Sequence, residues 1–217
     1  GLLGVTPYGN IGRVKSHGVD LSAVYNKQFN KDWSLSLRGT FTFSRNEVVE
    51  KDEGDLMYDY MSVVGHPVNA ITGVLVADGL FTSQEEIDNS PKQQFGNYTV
   101  GDIKYRDLDR SGFVDQNDVT KVGKSPYPEW TYSLGAAFNY RGFDFSFLLQ
   151  GIAGASFNLL DNAVQTRAFV DNGNVYPIAR GAWAYYPEQG IDTRATATYP
   201  RLTTQSNENN YQLSSFW

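Results

Sequence analysis

Residues 33–44 read WSLSLRGTFTFS, and the stretch alternates strictly between two kinds of side chain. Apolar residues and one glycine share the first face, which comprises Trp33, Leu35, Leu37, Gly39, Phe41 and Phe43. Serines, threonines and Arg38 share the second face. Successive side chains of a strand point to opposite faces, so this period of two indicates a strand with one apolar and one polar face.

Three other stretches repeat the pattern, at residues 19–26, 130–141 and 143–150. A minimal Arg-Gly turn separates the last two stretches. Val24 and Leu148 are exceptions, because each places a large apolar side chain on an otherwise polar face. The sequence therefore predicts two antiparallel hairpins, each with one apolar face.

The strands are about as long as the ~9–11 residues that a tilted membrane-spanning strand needs. Two of them begin and end with aromatic residues, Trp33 and Phe43 in one, Trp130 and Tyr140 in the other. Such rings favour the headgroup level of a bilayer and form the girdles of outer-membrane barrels. A soluble sandwich fits the alternation equally well, but ordinary strands average ~5–6 residues. We therefore predict an all-β fold, part of a transmembrane antiparallel β-barrel.

The connections between the strands differ greatly in length. Outer-membrane barrels have short periplasmic turns and long external loops, and the same asymmetry is present here. We predict a first transmembrane hairpin, a partly ordered extracellular loop subdomain, a second transmembrane hairpin, and a further extracellular loop with the start of more strands. These four parts cover residues 11–45, 46–129, 130–151 and 152–217.

The first long loop should contain regular structure, because long structureless loops are uncommon in compact domains. Residues 69–80 and 100–108 read as short strands. Ser83 and Glu86 have the spacing of a capping box, which predicts a short helix ending near Pro91.

Residues 107–118 read DLDRSGFVDQND and resemble a calcium-binding loop. Calcium takes six to eight oxygen ligands, and Gly112 permits the sharp turn that directs them inward. The predicted ligands are the side chains of Asp107, Asp109, Ser111, Asp115 and Asp118 and the carbonyl of Phe113. Asp118 stands where Glu is usual, so we expect modest affinity. An Asp-rich turn that binds nothing is the alternative interpretation.

The last long segment carries an aromatic cluster with two alternative interpretations. The cluster comprises Tyr176, Trp183, Tyr185 and Tyr186. Aromatic faces can stack on sugar rings, so these residues are candidates for substrate contact. Aromatic residues also pack loops without binding anything, and the sequence leaves both interpretations open.

Composition excludes several classes of function. The chain has a net charge of −6 and scattered Lys and Arg, which argues against nucleic acid as a partner. It has no cysteine, and its two histidines, His17 and His66, lie far apart. Neither a nucleophile-elbow motif nor a phosphate-binding glycine loop is present, so we predict no enzymatic activity.

Several stretches together resemble the C-terminal part of the SusC/RagA-type TonB-dependent outer-membrane transporters. They are IGRVKSHGVDLSAVYN (11–26), FTFSRNEVVE (41–50), GHPVNAITGVLVADGLFTSQEEI (65–87), GDIKYRDLDRSGFVDQNDVTKVGKSPYPEWTYSLGAAFNYRGFDFSFLLQG (101–151) and YPRL (199–202). The acidic loop followed by the GFDFS hairpin is the most specific of these features.

The resemblance implies a monomeric barrel of roughly 22 strands filled by an N-terminal plug. Such transporters lie in the outer membrane of Gram-negative bacteria and import nutrients, often oligosaccharides or peptides. TonB supplies the energy through the N-terminal part, and a SusD-like surface lipoprotein closes over the barrel as a lid.

The plug, the TonB-contacting segment and most strands have no counterpart in these residues. Four strands cannot close a barrel, and their free edges would leave backbone groups unpaired in lipid. We therefore expect this chain to be a segment of a longer polypeptide that pairs with the rest of its own barrel. The alternative is a soluble extracellular calcium-dependent carbohydrate-binding β module, which would remain soluble without detergent.

Overall fold

The computed structural model describes residues 9–162, 166–170, 173–205 and 207–217. Within these ranges the strands are β1 (Gly12–Asn30), β2 (Trp33–Lys51), β3 (Ile71–Leu75), β4 (Ala77–Leu80), β5 (Lys92–Gln93), β6 (Ile103–Tyr105), β7 (Phe113–Val114), β8 (Val119–Val122), β9 (Trp130–Tyr140), β10 (Phe143–Ala153), β11 (Tyr185–Tyr186) and β12 (Ile191–Asp192). A short α-helix, α1, covers Gln84–Asp88. The 3-10 helices are Asp59–Met61, Gln116–Asp118, Leu159–Asn162, Pro177–Gly181, Pro187–Gln189 and Glu208–Tyr211. Among the described residues, no helix has the length and apolar character needed to cross a membrane.

The long strands form one antiparallel sheet in the order β1, β2, β9 and β10. The two predicted hairpins are therefore confirmed, and β2 joins them by pairing with β9. The predicted girdle residues meet across this pair, with Trp33 opposite Tyr140 and Phe43 opposite Trp130. The sheet is open, because among the described strands β1 and β10 each pair with a single neighbour.

The alternation found in the sequence becomes a continuous apolar face across all four strands. In one row Leu37 lies between Tyr25 and Ala136, and Ala136 pairs in turn with Phe147. The large apolar side chains of this face are exposed on β1 and β10, as Phe145 illustrates with 63% of its surface accessible, and several on β2, such as Leu37 and Phe41, are half-buried.

The first hairpin extends beyond the stretch that alternates. β1 and β2 have 19 residues each, so they continue past residue 45, where the predicted hairpin ended. In this extension Lys15 pairs with Glu47 at 2.9 Å. Cross-strand ion pairs accompany the backbone hydrogen bonds in this extension. Its sequence has no apolar alternation from which the strands could be predicted.

The chain forms two compact units. The first contains the long sheet and comprises the described residues up to 56 together with 63–70 and 123–156. The second comprises 57–62, 71–122 and the described residues of 157–217.

The second unit is built from two-stranded ladders, β3 with β8, β4 with β6 and β5 with β7. Its core contains Leu75, Ile103, Tyr105 and Val114, all almost completely buried. The strands predicted within residues 69–80 and 100–108 correspond to β3, β4 and β6. The short helix is also confirmed, because the Ser83 hydroxyl accepts a hydrogen bond from the Glu86 amide at 3.1 Å and caps α1.

Candidate functional site

The acidic loop, residues 107–118, follows β6 and contains β7 and the 3-10 helix Gln116–Asp118. Arg110 and Gly112 have positive φ angles of 61° and 86°. Glycine adopts this conformation without strain, as the calcium-loop pattern requires at this position, whereas for arginine it is uncommon. These two residues help turn the chain, so that carboxylates from both ends of the loop meet.

Three carboxylates converge, those of Asp107, Asp109 and Asp118, and one oxygen from each lies within 4.8 Å of the others. Asp118 is completely buried. One of its oxygens accepts hydrogen bonds from the amides of Leu108 at 2.6 Å and Asp109 at 3.3 Å. Its other oxygen accepts from the amide of Asp115 at 2.8 Å. The residue at the last loop position thus closes the loop through its own hydrogen bonds.

The other two carboxylates face the turn of the loop. Asp107 accepts hydrogen bonds from the amides of Ser111 at 3.2 Å and Gly112 at 2.9 Å. Asp109 accepts from the Ser111 amide and from the Tyr58 hydroxyl, each at 2.9 Å. The Ser111 amide, followed by Tyr58, lowers the pKa of Asp109. Burial and the nearby acidic groups raise the pKa of Tyr60 to about 12, so this neighbour stays a neutral phenol.

The remaining predicted ligands have different surroundings. The Ser111 hydroxyl donates a hydrogen bond to the Phe113 carbonyl at 3.2 Å, so these two oxygens are neighbours. Asp115 is not part of the three-carboxylate group. Its carboxylate accepts from the Asn117 amide at 2.7 Å and caps the 3-10 helix.

The residues present fit a hard cation. Three carboxylates lie close together, and none of them forms an ion pair with a lysine or arginine among the described residues. Each carboxylate offers about four lone-pair positions, so the hydrogen bonds from amides leave acceptor capacity on every one. Oxygen-only ligands of this kind are those that Ca²⁺ prefers. Binding of the ion stays a prediction.

The four aromatic candidates occupy different environments. Tyr176 precedes the 3-10 helix Pro177–Gly181 and lines a cavity of about 490 Å³ with Phe157 and Ile178. Trp183 packs so closely on Gly101 that a Cβ there would lie 2.5 Å from its ring. Trp183 is therefore a packing residue in this structure.

The other two aromatic candidates form an exposed pair. Tyr185 and Tyr186 make up β11 and are exposed, with the Arg194 guanidinium 3.7 Å from the centre of the Tyr185 ring. Contact of these two residues with a sugar ring stays a prediction. The Arg194 guanidinium already covers one face of Tyr185.

Two buried polar clusters gave no signal in the sequence. Glu129, just before β9, binds both Arg45 and Lys124, and it is 9% exposed. Hydrogen bonds from Arg45 and Lys124 lower the pKa of Glu129 to about 2, although its burial acts in the opposite direction. In the second unit the fully buried Asp102 lies 2.9 Å from Arg201. Both clusters join residues far apart in the chain, which periodicity and motif spacing do not reveal.

The chain is similar to part of two TonB-dependent receptors of Formosa agariphila. It is 27% identical to receptor P26 over 191 residues, which cover 82% of this chain and 18% of that protein. It is 24% identical to receptor P3 over 156 residues, which cover 67% of this chain and 15% of that protein. No protein-family model matches the chain.

Two solved structures share the fold. The RagAB peptide transporter superposes with a TM-score of 0.60 at 19% identity over 95% of this chain and 22% of the other. The RagAB peptide importer in its closed-closed state gives a TM-score of 0.55 at 21% identity with the same coverage. The predicted resemblance to TonB-dependent transporters is confirmed by these similarities. The chain spans about a fifth of the length of the relatives it matches.

Proposed function

We propose that this chain forms part of the wall of a TonB-dependent outer-membrane importer of the SusC/RagA type. The observation that carries the proposal is the exposed apolar face of the long sheet. Its rows run from the Trp33–Tyr140 pair to the Phe43–Trp130 pair, which lie at the two ends of the eleven-residue strand β9. Lipid is the solvent that stabilises a continuous apolar face of this length bounded by aromatic residues.

The other face supports the same orientation. Most of its side chains are small or polar, and some bond across strands, as Thr40 and Ser133 do at 2.6 Å and Ser36 and Asn26 do at 2.6 Å. Such a surface suits the polar interior of a barrel. The lipid would then cover the apolar face, and the rest of the same barrel would pair with the free edges of β1 and β10.

The long connections would lie outside the cell, because barrels place long loops on the external side. Asp107, Asp109 and Asp118, with Ser111 and Phe113 beside them, would hold the calcium ion. When bound, Ca²⁺ neutralises the three carboxylates and fixes the ends of the loop together. The loop's own hydrogen bonds already hold Asp118 in place, so the ion would brace a formed loop and not create it.

The transported nutrient would be an oligosaccharide or a peptide. RagAB, whose two structures share this fold, is a peptide importer. Capture outside, closure of a SusD-like lipoprotein lid and TonB-driven rearrangement of a plug would complete the cycle. This chain would supply the wall and one braced external loop. Tyr176, Tyr185 and Tyr186 remain candidates for contact with the nutrient.

A soluble calcium-dependent carbohydrate-binding module is the weaker proposal. It would leave Phe143, Phe145 and Leu149, each more than 60% exposed, in water. An exposed apolar face of this extent aggregates unless lipid or another protein covers it.

The test is fractionation of the native cells, followed by the denatured mass of the polypeptide that carries these residues. We expect an outer-membrane species several times heavier than the 24.2 kDa of this chain. A tagged copy should also retain a surface lipoprotein during purification in mild detergent. A soluble species of 24 kDa would overturn the proposal and favour the carbohydrate-binding module.

A further inference from the structure

One charged side chain interrupts the apolar face of the long sheet. Between the row of Trp33 and the row of Phe43, Lys27 is the only charged residue that the described strands place on this face. It lies on β1 opposite Leu35, in the row next to Trp33. A charge that meets lipid is costly at the midplane and much less so near the interface, so a lysine here requires a polar partner within reach.

The row beside Lys27 is an aromatic margin to which all four long strands contribute. Its rings are those of Phe29, Trp33, Tyr140 and Phe143, which we call the turn-end margin. Phe29 stacks on Trp33 with ring centres 3.9 Å apart, and Phe143 is 81% exposed. Lys27 lies two residues from this margin along β1, a distance of about 6.8 Å. The flexible stem of a lysine can carry its ammonium over that distance to the headgroup level.

Further cations lie in the two turns next to the turn-end margin. Lys31 follows β1 and Arg141 follows β9, and the turns are neighbours because the Arg141 amide donates to the Asp32 carbonyl at 2.8 Å. The Asp32 carboxylate lies 4.0 Å from the Arg141 guanidinium, and Asp144 points to the polar face of β10. Lys27 and Lys31 therefore have no ion pair among the described residues.

We propose that Lys27 binds the phosphate of a glycerophospholipid in the periplasmic leaflet of the outer membrane. The proposal rests on the proposed function, which puts lipid on the apolar face and the short turns on the periplasmic side. The Lys27 ammonium meets the phosphate at the turn-end margin, and an acyl chain of the same lipid lies along Leu35 and Phe138, the next residues of its row. Lys31 and Arg141 make the site favour an anionic headgroup such as that of phosphatidylglycerol.

A lipid phosphate fits Lys27 better than a carboxylate on the next strand of the barrel does. β1 is an edge of the described sheet, and its partner in the complete barrel would place a residue beside Lys27 on the same face. An acidic residue there would be a second charge turned towards lipid, with a desolvation cost of its own. Phospholipid phosphates already lie at the interface, so the lysine gains a charge-assisted hydrogen bond without drawing another ion out of water.

The test uses the complete polypeptide in mild detergent and two photoreactive lipids. One is phosphatidylglycerol with a diazirine in one acyl chain, and the other is a diacylglycerol with the same chain and no phosphate. After irradiation and proteolysis, mass spectrometry measures the labelling of residues 33–38 and 134–140. At sub-saturating concentration we expect the phosphatidylglycerol probe to label these residues about fivefold more than the diacylglycerol does, the effect of one basic residue on an anionic lipid.

Variants of Lys27 test the charge. Lys27→Gln should lower phosphatidylglycerol labelling about fivefold, to the level of the diacylglycerol, whereas Lys27→Arg keeps the charge and should retain most of the labelling. Labelling of residues 41–43, at the other margin, should not respond to either variant. Lys92→Gln is the matched control, because it alters an exposed lysine on β5 in the second unit.

Two further measurements separate the lipid from other partners of Lys27. Millimolar inorganic phosphate should leave the labelling unchanged, and its loss would identify free phosphate as the ligand in place of a lipid. Heat-modified migration on gels should show that Lys27→Gln still forms a barrel. A Lys27→Gln protein that fails to form one, together with equal labelling of the wild type by both probes, would identify a carboxylate on the next strand as the partner.

The outcomes also separate this site from the proposed function. If neither probe labelled the apolar face anywhere between residues 33 and 43, that face would not meet lipid, and the proposed function would fail. If both probes labelled it equally, or if Lys27→Gln kept the full phosphatidylglycerol yield, the phosphate site alone would be overturned.

Discussion

Arg45 and Glu129 form a two-point ion pair although 84 residues separate them in the chain. Nε of Arg45 lies 2.7 Å from Oε1 of Glu129, and Nη2 lies 2.9 Å from Oε2. Lys124 donates to the same carboxylate at 2.6 Å. The pair connects β2 with the residue just before β9, beyond the aromatic margin formed by Phe43 and Trp130.

This carboxylate should make the hairpin junction sensitive to acid. The pKa of Glu129 is lowered to about 2 from an ordinary value near 4.5, chiefly by the hydrogen bond from Arg45 and then by that from Lys124. A depressed folded-state pKa gives stability that is present above pH 4.5 and is lost as the pH falls towards 2. Thermal unfolding in detergent, measured between pH 6 and pH 2, should show this loss in the wild type.

Glu129→Gln should remove that pH dependence. It should also lower stability at pH 6 by about 1–2 kcal/mol, because the half-exposed Arg45 and Lys124 recover hydration when the carboxylate is gone. Glu85→Gln is the control, since Glu85 is exposed on α1. Identical acid profiles for the wild type and Glu129→Gln would contradict the prediction.

A second prediction concerns the apolar face of the long sheet, which we propose meets lipid. Leu37→Arg should cost about 2–4 kcal/mol of barrel stability, because Leu37 lies near the middle of the apolar face. Ala137→Arg is the matched control, because Ala137 pairs with Ser36 at the same depth on the opposite face. Urea unfolding of the refolded barrel in lipid vesicles measures both. Equal costs for the two substitutions would mean that the apolar face does not meet lipid.

Much of the long sheet was predictable because one apolar face along each strand produces a regular alternation in the sequence. The alternation at 33–44 and 130–150 fixes both the strands and their faces. The extension of β1 and β2 has no such alternation, since ladder hydrogen bonds and pairs such as Lys15–Glu47 are compatible with any polar sequence. The Arg45–Glu129 pair depends on the register of β2 against β9, which the sequence does not state.

The acidic loop was predictable in outline but not in the role of each carboxylate. The structure brings the carboxylates of Asp107, Asp109 and Asp118 together. The spacing did not distinguish Asp115, which caps a helix, or the three amide contacts of Asp118. Those contacts depend on the three-dimensional turn at Arg110 and Gly112.

The third prediction separates two sources of stability of the acidic loop, its own hydrogen bonds and a bound calcium ion. Asp107→Asn should weaken calcium binding at least tenfold while costing the calcium-free loop about one hydrogen bond, because its single amide oxygen can still accept from Ser111 or Gly112 and the side chain is only half-buried. Asp118→Asn should weaken binding and also destabilise the loop without calcium, because a buried acceptor of three amides is altered. Calorimetry and hydrogen exchange of residues 105–120 measure the two effects.

Asp55→Asn provides the control for both acidic-loop variants, since Asp55 is exposed and lies outside the loop. It should change neither calcium binding nor exchange. If wild-type protein took up no calcium at millimolar concentration, the calcium proposal would fail, and the destabilisation by Asp118→Asn would remain as a test of the hydrogen bonds alone.

The fourth prediction concerns Asp102, which organises the second unit from its interior. Asp102 accepts hydrogen bonds from Asn207 at 3.0 Å and Asn210 at 2.8 Å, in addition to its ion pair with Arg201. Removal of one partner from a buried charged network costs about 3–5 kcal/mol, since the remaining groups lose both solvent and partner. Asp102→Ala should therefore release residues 199–201 and 207–211 from the core and accelerate their hydrogen exchange by at least a hundredfold.

The surface pair Asp78–Arg106 supplies a control of the same chemistry in the same unit. Its atoms approach closely, but the Arg106 side chain is 55% exposed, so water can replace the lost partner. Asp78→Ala should cost about 0.2–1 kcal/mol and leave the exchange of residues 199–201 and 207–211 unchanged. Comparable exchange in the two variants would mean that burial of Asp102 contributes no more than a surface ion pair. The apolar cluster of Ala168, Ala179 and Tyr199 would then hold this segment instead.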